Sequence, residues 1–117
     1  MPFVALADVE PFLHLSVKEY FADNPSLFDE HEKAAAHLIE ITAGIVTPAN
    51  INDRPEWVIM PAAWFINWGV ISSLTRFSQE GKDIAQENFF EARKICKEHR
   101  VNKTFSARVY DIEGGYK

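Results

Sequence analysis

The chain predicts an all-α domain, a small bundle of about four helices over residues 1–100, followed by an extended arm over residues 101–117. Three observations carry this expectation. A tryptophan-rich apolar run over residues 60–71 is punctuated by Pro61, Asn67 and Gly69, and is too short for a membrane span. On either side of it, apolar residues repeat at helical spacing between cap residues. Beyond residue 100 the composition turns to β-branched and aromatic types in alternation.

In chain order, residues 1–6 read as a short extended lead-in. Asp8 is a plausible N-cap for a short helix over 9–15, with Pro11 tolerated in its first turn. Residues 16–23 either extend that helix or form a second turn, and the pattern leaves both open. Asn24-Pro25 is a cleaner start signal, with Asp29, Glu30 and Glu32 near the positive end of the dipole. Leu27/Phe28, Ala34/Ala35, Leu38, Ile41/Thr42 and Ile45 then repeat helically, and Gly44 is a natural stop, giving a helix over about 25–43. Residues 45–56 are dense in turn formers. The tryptophan helix follows, from residue 57 or 61 to about 79, with Gly81 as its terminator. A last helix runs over about 82–100. Its inner face holds Ile84/Ala85, Phe89, Ala92, Ile95/Cys96 and His99, and Phe90 points elsewhere.

Trp64, Trp68 and Ile71, with Leu74 or Thr75, fall on one face of the tryptophan helix, and Phe65, Ile66 and Val70 widen that stripe almost all round. Such a helix needs cover on most sides, from its own domain or from neighbours. A 117-residue domain buries roughly two thirds of its unfolded surface, which makes complete cover hard to supply alone. Asn67 inside this run must have its amide satisfied. Either it bonds an indole or the 45–56 loop, or it fixes the register of a helix–helix or subunit contact.

Composition narrows the function classes. Hydrophobic residues make up 47% of the chain and the net charge is −5, so a disordered chain is excluded and no basic block tracks phosphates. Arg93, Lys94, Lys97 and Arg100 sit where cations complement a helix C-terminus. The single cysteine, Cys96, excludes an internal disulfide and a cysteine-based zinc site, and its apolar position reads as a buried thiol. The N-terminus has no basic segment leading into a long apolar stretch, so no signal peptide is expected.

Candidate chemistry is sparse. His31-Glu32 would need a second histidine at position 35, which is Ala35, and His37 lies on another face. His31 is expected to be solvated and His37 partly exposed. His99 suits a helix C-terminus, and His14 has no readable context. Glu87 and Glu91 share a face beside Arg93 and Lys94, as a solvated stripe does. The serines form no nucleophile elbow and the glycines no phosphate cradle. The expectation is no enzyme, no cofactor and no metal. Surplus aromatic rings point instead to contacts with other chains. The candidates are Trp57, Trp64, Trp68 and Phe90 on the helical part. On the arm they are Phe105, Val109, Tyr110, Ile112 and Tyr116, since a lone strand needs a partner chain.

The order of elements carries a resemblance. A short helix holds Ala7-Asp8-Val9-Glu10-Pro11-Phe12-Leu13, and a second holds Ala34-Ala35-Ala36-His37-Leu38-Ile39-Glu40. An Asn/Asp-rich loop then leads to the proline-headed Met60-Pro61-Ala62-Ala63-Trp64 and to a last helix with Asn88-Phe89-Phe90-Glu91-Ala92. Over residues 5–100 this resembles the head–tail connector (adaptor) proteins of tailed bacteriophages, although residue 10 is acidic where that family commonly has a basic residue. The resemblance implies a homo-oligomeric ring, commonly twelvefold, beneath the portal protein. It also implies a tail or stopper protein as a further partner, and an arm that reaches the portal. DNA would pass through the lumen without specific binding, no membrane would be involved, and the protein would sit in the virion neck after assembly in the host cytoplasm. The alternative is a small bacterial or phage adaptor domain that binds one protein partner through Trp57, Trp64 or Phe90.

Overall fold

The computed structural model describes residues 2–74 and 78–100, and among them forms five α-helices and four 3₁₀ turns, with no strand. The helices are α1 (Leu6–Val9), α2 (Leu15–Asp23), α3 (Phe28–Ala43), α4 (Ile59–Ser73) and α5 (Gln79–Glu98). The fold is therefore the all-α bundle the sequence predicts, with α1 a single turn and α2–α5 its four longer members. Thr75 and the arm, including Phe105, Val109, Tyr110, Ile112 and Tyr116, lie outside the described residues.

Local signals set most boundaries. Gly44 ends α3 at φ +70°, the left-handed conformation that a glycine adopts without a Cβ clash. Pro25 heads a 3₁₀ turn over Pro25–Leu27 that runs into α3. Pro61 is accommodated in the first turn of α4.

Three expectations fail for identifiable reasons. Asp8 is not an N-cap: it is the third residue of α1, and its carboxylate accepts from the Ala5 N–H at 2.9 Å. The segment 9–15 is not one helix, because the chain turns extended at Leu13 and His14 before α2 begins. Gly81 does not end α4, which stops at Ser73. Instead it lies in the first turn of α5, where its N–H donates to the Ser78 Oγ at 3.1 Å. A serine cap three residues upstream outweighs the glycine as a boundary.

Helix α4 is the centre of the bundle. It packs most extensively on α5, then on α3, and also meets α1 and α2. Ala62, Ala63, Phe65, Ile66, Val70 and Ile71 are buried, so the middle of its covered face runs through residues 63, 66 and 70, while Trp64 and Trp68 flank it half-buried. The neighbours approach closely because they offer small residues, Ala35, Ala36 and Ala43 from α3, and Ala85 and Ala92 from α5. The His31 ring of α3 lies against Gly69, where a Cβ would meet it at 3.2 Å. The domain thus covers most of this helix itself.

The lead-in is core rather than an approach to it. Phe3 and Val4 are fully buried, each contributing about 1.5–3 kcal/mol of apolar burial. The Phe3 N–H donates to the Glu32 carboxylate at 2.8 Å. Glu32 is itself buried, and burial pushes its carboxyl above the usual carboxylate range, with the Phe3 and Val4 amides pulling part of the way back.

Asn67 holds the other end of the N-terminal segment. Its Nδ2 donates to the Phe12 carbonyl at 3.1 Å and its Oδ1 accepts from the His14 N–H at 3.1 Å. Neither an indole nor the 45–56 loop is its partner. The register it fixes is that of the break between the first 3₁₀ turn and α2.

Two stability measurements check these anchors. Replacing Asn67 by Leu removes a donor and an acceptor at once, and should cost about 2–4 kcal/mol in denaturant unfolding. Glu32→Gln keeps an acceptor for Phe3 without a charge to bury. Because the folded carboxyl titrates above its unfolded value, wild-type stability from this group is full at low pH and falls as pH rises through the folded value. The Glu32→Gln variant should therefore gain on wild type between pH 4 and pH 7, and a constant difference across that range would refute the account.

Candidate interaction surface

The side chains singled out in the sequence fall into separate places. Trp57 sits on the 3₁₀ turn Glu56–Val58, where its indole stacks flat on His99 with centroids 4.4 Å apart and planes 10° from parallel. His99 thus serves as a lid on Trp57 at the end of α5. Beside this pair opens a groove of about 370 Å³ lined by Phe12, Trp57, Ile59, Met60, Pro61 and Ile95, with Glu56 as its carboxylate. Phe12 and Met60 remain exposed. The groove is built where the first 3₁₀ turn, the start of α4 and the last turns of α5 converge.

Trp68 belongs to another group. Its ring lies 6.0 Å from Phe89, which meets Phe65 at 5.3 Å edge-on and Phe90 at 5.6 Å. This row of rings runs from the core to the surface, where Phe90 is 54% exposed, as expected from its position off the inner face. Trp64 is half-buried against the core. Ile84, assigned to the inner face by spacing, is exposed, and only Ala85, Ala92 and Cys96 of α5 are fully covered.

The titratable groups do structural work. His31 is not solvated: its ring lies 6.1 Å from Tyr20 and 5.7 Å from Phe21, edge-on to each, and burial lowers its pKa. His14 precedes α2 as its N-cap residue, and burial lowers its pKa too. His37 is exposed in a shallow groove along α3 with Asp29, Lys33, Glu40 and Thr47. Glu40 accepts from the Thr47 hydroxyl at 2.7 Å and the Thr47 N–H at 3.1 Å, and both bonds hold its carboxyl below the ordinary range. Among the described residues no group of three or more His, Cys, Asp or Glu side chains could hold a metal ion. No described helix is long and apolar enough to cross a membrane.

Arg100 shows what spacing alone misses. Its guanidinium donates to the Ile41 and Thr42 carbonyls at 3.1 and 2.9 Å. It therefore caps the C-terminus of α3 rather than its own helix, satisfying orphan carbonyls and the negative end of the dipole. Arg93 and Lys97 line the same recess.

Sequence reasoning does not identify Phe12, Met60 and Ile95 as surface contacts. By spacing, Phe12 falls inside a short helix, Met60 at the edge of the apolar run and Ile95 in the core. Only the meeting of their three segments makes a groove, so no local signal could have found it. No family model, curated protein or solved structure matches this chain.

Cys96 is fully buried, and burial pushes its thiol up to about 11. A thiol-reactive disulfide reagent at pH 8 should label it only as fast as the folded chain opens, and urea should raise the rate to that of a free thiol. Rapid labelling in native buffer would show that α4 and α5 part readily.

Proposed function

We propose that this chain is a structural assembly protein, a head–tail connector subunit of a tailed bacteriophage that forms a ring beneath the portal. The observation that carries the reading is the apolar groove at Trp57, accompanied by the aromatic row ending at exposed Phe90. The bundle buries α4 well, yet leaves apolar side chains open to water, among them Phe12 and Met60 at the groove and Phe90 on α5. Covering them against another chain recovers about 25 cal/mol per Å² of apolar surface. An oligomer built on two different patches of one subunit is heterologous, and repeated contacts of that kind close into a ring when the rotation allows.

The remaining parts of the reading follow from the sequence resemblance. The ring would sit in the virion neck after assembly in the host cytoplasm, with the portal above it and a tail or stopper protein below. The net charge of −5 suits a channel through which DNA slides without sticking. The second reading is a small adaptor that engages one protein partner. Its support is the same groove, which is local enough to seat a single peptide segment.

Electron microscopy of the purified chain, alone and mixed with a portal protein, tests the first reading. It should give rings in at least one of the two samples. Light scattering that finds only monomer or dimer in both, together with loss of one partner's binding on Trp57→Ala, would favour the adaptor.

A further inference from the structure

We infer that the outer face of α5 around Phe90 seats the outer face of α2 from a second copy of this chain, the two helices running parallel with Leu15 against Phe90. This names a contact within the assembly reading and rests on that reading only in requiring that copies meet; no portal is needed.

Both faces are open in the single chain. Leu15 is 68% exposed and Phe90 54%. At helical spacing Leu15, Glu19, Ala22 and Asp23 form one stripe of α2, and all four are exposed; Lys18, half-buried, stands at its margin. On α5, Phe90 shares a face with Arg93, Lys94 and Lys97 towards the C-terminus and with Asp83 and Glu87 towards the N-terminus. Arg93 is half-buried and the others are exposed. Among the described residues the one ion pair joins Arg54 and Asp8, so no described ion pair neutralises the charges on either face.

The order of charges sets the partner and the direction. From Leu15, Glu19 and Asp23 lie about 6 and 12 Å further along α2, and from Phe90, Arg93, Lys94 and Lys97 lie about 4.5, 6 and 10.5 Å further along α5. Side by side and parallel, apolar meets apolar and each carboxylate meets a cation. Asp23 closes α2 at the negative end of its dipole, in a last turn without a basic residue, where a partner's Lys97 offsets both. Glu87, about 4.5 Å before Phe90, then faces the positive start of α2, whose amides have no side-chain cap. Run antiparallel, Glu19 and Asp23 would meet Glu87 and Asp83. A nucleic-acid phosphate chain laid along this face would meet those same two carboxylates. A contact of two turns is small for a pair that stands alone, and suits one repeated around a ring. The two faces differ, so the contact is heterologous.

Disulfide trapping with full-length chains tests this. Leu15→Cys chains are mixed with Phe90→Cys chains and oxidised with copper–phenanthroline, each thiol pair losing two hydrogens to the oxidant as the S–S bond forms. Every substituted residue is exposed and Cys96 is buried, so unchanged circular dichroism is expected and the native thiol stays out of the reaction. The mixture should give a reducible dimer band at least tenfold stronger than Asp23→Cys mixed with Phe90→Cys, thiols that the parallel register keeps about 12 Å apart. Adding Lys94→Glu and Lys97→Glu to the Phe90→Cys chain should remove the band. Adding Glu19→Lys and Asp23→Lys to its Leu15→Cys partner should then restore it. No band, equal bands from the two mixtures, a band that ignores the charge reversals, or a chain with both cysteines that closes only on itself would each overturn the proposal. Rings in micrographs alongside any of these would leave the assembly reading standing. Single-stranded DNA bound by the wild-type chain and lost with Lys94→Glu and Lys97→Glu, with no band, would overturn it in favour of nucleic acid. A charge-dependent band without rings, alone or with a portal protein, would support the contact and count against the connector reading.

Discussion

Hiding helix α4 from water is the constraint on which the arrangement depends. It is apolar on nearly every side, so one packing partner is not enough. The bundle meets the need with α5 along one flank, α3 along another, and the N-terminal turns across a third. Small side chains make this possible. Alanines on α3 and α5 let the helices pack closely, Gly69 on α4 makes room for the His31 ring, and Ile66, Val70 and Ile71 are fully enclosed.

Packing alone does not fix how the short N-terminal pieces lie, because a four-residue helix and a 3₁₀ turn have little cooperativity of their own. Single polar side chains supply the register. Glu32 holds the Phe3 amide, Asn67 holds the Phe12 carbonyl and the His14 amide, Glu40 holds Thr47, and Arg100 holds the end of α3. All four satisfy backbone groups that would otherwise go unpaired where secondary structure breaks. Asn67 is the most consequential of them, since it projects from the helix that everything else surrounds and so ties the break in the N-terminal segment to the core.

Cover is incomplete where the pieces meet imperfectly. The corner between the first 3₁₀ turn, the head of α4 and the end of α5 leaves the Trp57 groove, and the outer edge of α5 leaves Phe90. An assembly function places contacts at such corners, because apolar surface left there is already shaped and needs little reorganisation on binding.

Much of the fold was legible in the sequence. The helical spacing that builds α3, the Gly44 stop and the apolar run each depend on neighbours a few residues apart, and such signals survive translation into structure, whereas Asn24-Pro25 opens only a 3₁₀ turn and α3 itself starts at Phe28. The fully buried lead-in, the break at Leu13 and His14, and the start of α5 at Ser78 were not legible there. In the first two a distant side chain decides the outcome, Glu32 for the one and Asn67 for the other; in the third a cap outweighs a glycine. The candidate surface divides the same way. Trp57 and Phe90 stand out by residue type, but Phe12, Met60 and Ile95 become neighbours only through folding. The sequence by itself determined which segments are helical and that α4 must be covered, since periodicity and caps act locally. Tertiary structure alone decided what covers it, which polar group meets which backbone, and where an apolar groove remains, because those depend on contacts between residues far apart in the chain.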